Sequence, residues 1–95
     1  MPVAKRKHRQ ALKKAGFRKK TTKKHEKWVL RVGDQLIAET QVSKGSGEIS
    51  DHLLQYIRRD QLHLEAGDYG YLVSCDMTQE EYFQILREKG QLLDN

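Results

Sequence analysis

Two alternating runs on either side of Gly33-Asp34 constrain this chain more than any other feature. In the first, Trp28, Leu30 and Val32 alternate with Lys27, Val29 and Arg31; in the second, Leu36, Ala38, Thr40 and Val42 alternate with Ile37, Glu39 and Gln41. A period of two belongs to a strand, and a Gly-Asp pair between two such runs belongs to a tight turn, so residues from His25 onward are expected to form a hairpin. One face carries Trp28 and must be covered. The other carries His25, Lys27 and Arg31 and is the wetter one. The register is open between two readings. A two-residue turn pairs Val32 with Gln35 and puts Ile37 and Glu39 beside Trp28, whereas a three-residue connection, the favoured reading, puts Leu36 and Ala38 there. Phe17 to Thr21 is expected as an extra short strand beside the hairpin.

Helical spacing brackets these strands. Ala4, His8, Ala11, Leu12 and Ala15 form one small apolar stripe, which predicts a helix over roughly residues 4 to 15. Gly16 suits the left-handed position after it, with Phe17 folding back onto Leu12 in a Schellman ending. Ser43 to Gly47 reads as a loop. Ile49, Leu53, Tyr56 and Ile57 then mark a second helix of about eleven residues, capped by Ser46 with Glu48 in its first turn. Residues 64 to 75 are expected to hold a short helix weakened by Gly67 and Gly70. Thr78 and Glu81 form a capping box, flanked by Met77 and Tyr82 at the staple positions, so a last helix runs over about residues 79 to 89 and stops at Gly90. Its Tyr82, Ile85 and Leu86 stripe is expected in the core.

Ninety-five residues suit one domain with a modest core. Cys75 is the only cysteine and allows no internal disulfide, and no apolar run approaches a membrane span. A cytoplasmic protein is expected. Charge is unevenly spread: thirteen of the eighteen Lys and Arg residues fall in the first 32 positions beside one acid, Glu26, giving about +12 there and about −7 in the rest. Such a basic block attracts polyanions, and released counterions then supply a salt-dependent share of the affinity. Nucleic acid is the first partner to expect. A membrane surface is not expected, because the first helix lacks the large apolar residues that interfacial binding needs.

No complete catalytic or metal motif is present. The chain has no Walker loop, dinucleotide fingerprint, CxxC pair or HExxH, and neither a metal nor a cofactor is expected. Cys75 reads as a small core residue, and His8, on the stripe of the first helix, as a packed or partly exposed side chain and not a catalytic one. His25 is the exception, because an imidazole among Lys23, Lys24 and Lys27 can exchange a proton near neutrality. Such a group could deprotonate a ribose 2′-hydroxyl while the lysines stabilise the charge that builds on the phosphate, cleaving RNA without a metal and sparing DNA.

The run Leu12 to Phe17 (Leu-Lys-Lys-Ala-Gly-Phe), then Lys24, His25 and Trp28, then Val42 to Gly45 and the Glu48-Ile49 pair, resembles the HicA type of mRNA interferase, the toxin of bacterial toxin-antitoxin pairs. The resemblance covers roughly residues 5 to 60. It implies a fold similar to the double-stranded-RNA-binding domain, His25 as the catalytic acid or base, RNA as substrate, and an acidic antitoxin-like protein as a possible partner. Where that family has Gly-Ser before its histidine, this chain has Lys23-Lys24.

The expected fold is therefore α+β: helix, two- to three-stranded antiparallel sheet and helix within residues 1–60, followed by a helical extension, residues 61–95, packed on the same domain as two short helices. The expected nucleic-acid-binding residues are Lys19, Lys20, Lys23, Lys24, Lys27, Arg31 and Lys44. Two further functions stay open, a non-catalytic RNA-binding module and a protein-interaction module with bipolar charge.

Overall fold

A computed structural model of the chain describes residues 2–21, 25–43, 45, 47–74 and 76–92. In chain order the elements are β1 (Val3–Ala4), α1 (Lys5–Ala15), β2 (Arg18–Thr21), β3 (His25–Val32), β4 (Gln35–Ser43), β5 (Glu48–Ile49), α2 (Asp51–Tyr56), a π-helical turn (Ile57–Gln61), α3 (Ala66–Val73) and α4 (Gln79–Glu88). The described residues make an α+β protein with four α-helices and a three-stranded antiparallel sheet in the order β2-β3-β4, beside a small β1-β5 ladder.

The small stripe of α1 is its buried side: His8, Ala11, Leu12 and Ala15 face inward. The helix ends in the expected Schellman geometry. Gly16 takes the left-handed conformation at φ 104°, its N–H bonds to the Lys13 carbonyl, and the Phe17 N–H bonds to that of Leu12. This ending reverses the chain, and Phe17 enters the core as β2 begins.

The hairpin takes neither register as expected. The turn is the two-residue Gly33-Asp34 type, since Val32 pairs with Gln35, but Leu30 pairs with Ala38 and Arg31 with Leu36. Ile37 is the extra residue of a β-bulge. The bulge shifts the phase of β4 by one, so Ala38, Thr40 and Val42 share the Trp28 face while Leu36, expected there, points outward and is 47% exposed. Ile37 is buried instead.

The second helix also departs from expectation. It begins at Asp51 and is capped by Ser50, whose side chain accepts from the Leu53 N–H. The expected cap, Ser46, lies outside the described residues. Glu48 and Ile49 are not helical, because they pair with Ala4 and Val3 in the β1-β5 ladder. With the start moved, Leu54 and Ile57 face the core, and Leu53 and Tyr56, two of the residues whose spacing marks this helix as amphipathic, are about half exposed.

The capping box of α4 forms as expected: Glu81 N–H bonds to Thr78 Oγ1 and Thr78 N–H to Glu81 Oε1. Met77 and Tyr82 are buried, and the Tyr82 hydroxyl donates to the Leu62 carbonyl at 3.0 Å. Tyr69 and Leu72 of α3 and Tyr82 and Leu86 of α4 join Leu12, Trp28 and Leu30 in one core. Residues beyond 61 therefore complete the core from the helical side. No described helix is long and apolar enough to cross a membrane.

Candidate nucleic-acid interface

Residues directly opposite in an antiparallel pair share a face. Val29 pairs with Arg18 on one side and Glu39 on the other; Lys27 pairs with Lys20 and Gln41; His25 pairs with Ser43, and Arg31 with Leu36. The face turned away from Trp28 therefore collects Arg18, Lys20, His25, Lys27 and Arg31. The helices pack on the opposite face, and Arg18, Lys20, His25 and Arg31 are all exposed.

Val29 lies at the centre of this cationic face and is nonetheless buried. Arg18, Lys20 and Arg31 surround it with Gly16 in a recess of about 120 Å³. Long basic side chains can lay their stems on apolar surface and keep their charges in water, so a valine here organises three cations. Lys27 is committed differently: its Nζ lies 3.2 Å from Glu39 Oε1. Arg18, Lys20 and Arg31 have no ion-pair partner among the described residues.

His25 opens β3 opposite Ser43, the last residue of β4. It lines a recess of about 250 Å³ together with Gln41 and Ser43 of β4 and Leu53, Tyr56 and Gln61 across the strand edge. The end of the hairpin is fixed from behind. Arg9 of α1 donates from Nε to Glu26 Oε1 at 2.9 Å and from Nη2 to the carbonyls of Ser43 and Gly45 at 3.3 and 2.8 Å. Trp28 Nε1–H reaches the same Glu26 oxygen at 3.3 Å. Burial works against ionisation of Glu26, but the Arg9 and Trp28 hydrogen bonds and the charges of Arg9 and Lys19 outweigh it and hold the carboxyl below its ordinary value. One guanidinium thus ties α1 to β3, which carries His25, and to the end of β4 opposite it.

Of the expected site residues, Lys20, His25, Lys27 and Arg31 come together on the open face. Lys19 does not: it pairs with Trp28 and projects from the other side of β2, exposed at the sheet edge. Lys23, Lys24 and Lys44 lie outside the described residues. Arg18 was missed, although alternation with Lys20 along β2 would have placed it. Arg9 and Glu26 were missed as well, since residues 17 positions apart leave no local pattern. Among the described residues no group of three or more potential ligands could hold a metal ion, and Cys75 lies outside them. No protein-family model matches this sequence, and neither a curated protein nor a solved structure matches it.

Proposed function

We propose that this chain binds RNA on the open face of its sheet and cleaves it as a HicA-like endoribonuclease, with His25 as acid or base. The observation that carries this reading is the grouping of Arg18, Lys20, Lys27 and Arg31 with His25 on one uncovered surface. Backbone phosphates are the ligands such a surface suits, because it offers spaced cations. The order helix, three strands, helix within residues 5–61 is compatible with a domain similar to the double-stranded-RNA-binding type. In this reading Lys27 supports the phosphate beside His25, and an acidic antitoxin-like protein would compete for the same cations.

A second reading, binding without cleavage, is favoured by one observation: Lys27, the cation next to His25 on the same face, is already paired with Glu39. Incubating a mixed RNA pool with wild type, His25→Ala and the triple variant Arg18→Ser/Lys20→Ser/Arg31→Ser separates the two. The triple variant is expected to bind more weakly and to flatten the dependence of log affinity on log salt by roughly 0.7 to 0.9 for each phosphate no longer neutralised. His25→Ala is expected to bind like wild type and lose cleavage. Binding by both wild type and His25→Ala with cleavage by neither leaves the second reading. Absence of salt-sensitive binding by wild type overturns both.

A further inference from the structure

The recess beside His25 differs in chemistry from the cationic face that it adjoins. Its lining carries no Lys, Arg, Asp or Glu among the described residues. On one side stand the imidazole of His25, the Gln41 amide and the Ser43 hydroxyl; on the other, Leu53 and Tyr56, two large side chains that α2 leaves about half exposed. Ile57 and Gln61 complete the lining, and Gln61 is oriented from within. The hydroxyl of Thr40, which is 1% exposed, donates to Gln61 Oε1 at 2.5 Å. That bond occupies the carbonyl end of the amide and leaves its N–H pair to meet a ligand.

The backbone explains why Gln61 is there. The Leu62 N–H bonds to the Ile57 carbonyl, five residues back, so the segment after α2 is wound as a π turn and carries Gln61 to the flank of β4. Such turns are rare and concentrate at functional sites. An aromatic ring and a leucine offer a stacking surface, the neutral amides and hydroxyl offer hydrogen bonds, and charge lies outside. The volume of about 250 Å³ is below the roughly 300–1,000 Å³ of pockets for drug-sized ligands and suits one ring system.

We infer that this recess is a nucleobase subsite. An unstacked RNA base lies against Tyr56 and Leu53 with an acceptor on its edge facing the Gln61 N–H pair, while its ribose lies at His25 and its phosphate on the adjoining cations. Stacking on an aromatic side chain is the usual way in which proteins hold single-stranded RNA bases. The identity of the ligand rests on the RNA reading above, and Tyr56 and Gln61 act as specificity-determining residues within it.

Two measurements on the full chain test this. In the first, uridine, cytidine, adenosine and guanosine, which carry no phosphate, are titrated while side-chain resonances are followed by NMR. Saturable shifts at Tyr56, Gln61 and His25 are expected for at least one nucleoside, kept by Tyr56→Phe and abolished by Tyr56→Leu. In the second, anisotropy compares a short oligoribonucleotide with an abasic ribose-phosphate oligomer of equal length. Wild type is expected to prefer the base-bearing oligomer by roughly fivefold or more, and Tyr56→Leu to erase the preference without changing the salt dependence. Salt-sensitive RNA binding with no base preference and no nucleoside shift overturns the subsite alone. Nucleoside shifts without RNA binding uphold the subsite and overturn the RNA reading. A preference that persists in Tyr56→Leu overturns the assignment of Tyr56.

Discussion

His8 lies on the inner stripe of α1 with its Nδ1 2.6 Å from the Tyr69 hydroxyl, while its Nε2 is buried with no hydrogen-bond partner among the described residues. Burial first and the charge of Arg9 second lower its pKa from 6.5 to about 4. The ring is neutral near pH 7. Unfolding releases it to its ordinary value, so between pH 6.5 and 4 the unfolded chain binds more protons, and stability is present above this window and lost as pH falls through it. His8 alone is expected to cost about 2 kcal/mol on going from pH 7 to pH 5. Urea titrations of wild type and of the His8→Leu/Tyr69→Phe variant at both values check this; the variant, with both polar partners removed together, should lack that component. Arg9 supports a second prediction. Arg9→Ala removes the hydrogen-bonded ion-pair partner of the Glu26 carboxylate, which is 13% exposed, and leaves it the Trp28 bond and the more distant charge of Lys19, so a loss of about 2 kcal/mol is expected. Adding Glu26→Gln should recover part of it, as a double-mutant cycle in urea would show.

At the scale of elements, Gly16 joins α1 to β2 and faces α4. A Cβ at this position would collide with the side chain of Gln79 and approach Leu30, on a backbone already at φ 104°. Gly16→Ala is expected to lower stability by at least about 1 kcal/mol from the left-handed conformation alone. Gln79→Ala in the same chain should return only the steric part, readable as a shift in melting temperature. What the sequence discloses follows the same division between near and far. The end of α1 at Gly16 and the start of α4 at Thr78 were legible because each signal is complete within about six residues. The start of α2 was not, because residues 48 and 49 are drawn into a ladder with residues 3 and 4, a pairing invisible to local spacing. Local spacing thus grouped Leu53 and Tyr56 with the apolar stripe of α2 and so hid half of the recess beside His25. The bulge at Ile37 hid the phase of β4 in the same way. The common face of His25, Lys27 and Arg31 was legible, since β3 alternates without interruption up to the turn.

For the whole molecule, the division at residue 61 does not separate two folding units. Leu12 and Trp28 share their core with Tyr69, Leu72, Tyr82 and Leu86, so a fragment of residues 1–61 would expose that core. It is expected to show no cooperative unfolding transition by circular dichroism, whereas the full chain shows one. The position of β2 at the edge of the sheet has a consequence for solubility. Its outer backbone groups are open to pairing with a strand of another molecule, the usual route to aggregation, and charged side chains on an edge oppose this. Arg18, Lys19 and Lys20 fill three of the four positions of β2. Exchanging all three for Ser lowers the formal net charge from +5 to +2 and should bring on association visible by light scattering at concentrations where wild type stays monodisperse. A polyanion that neutralises the same side chains would remove the same protection, so saturating amounts of a short bound strand should themselves promote clustering of the protein, edge against edge.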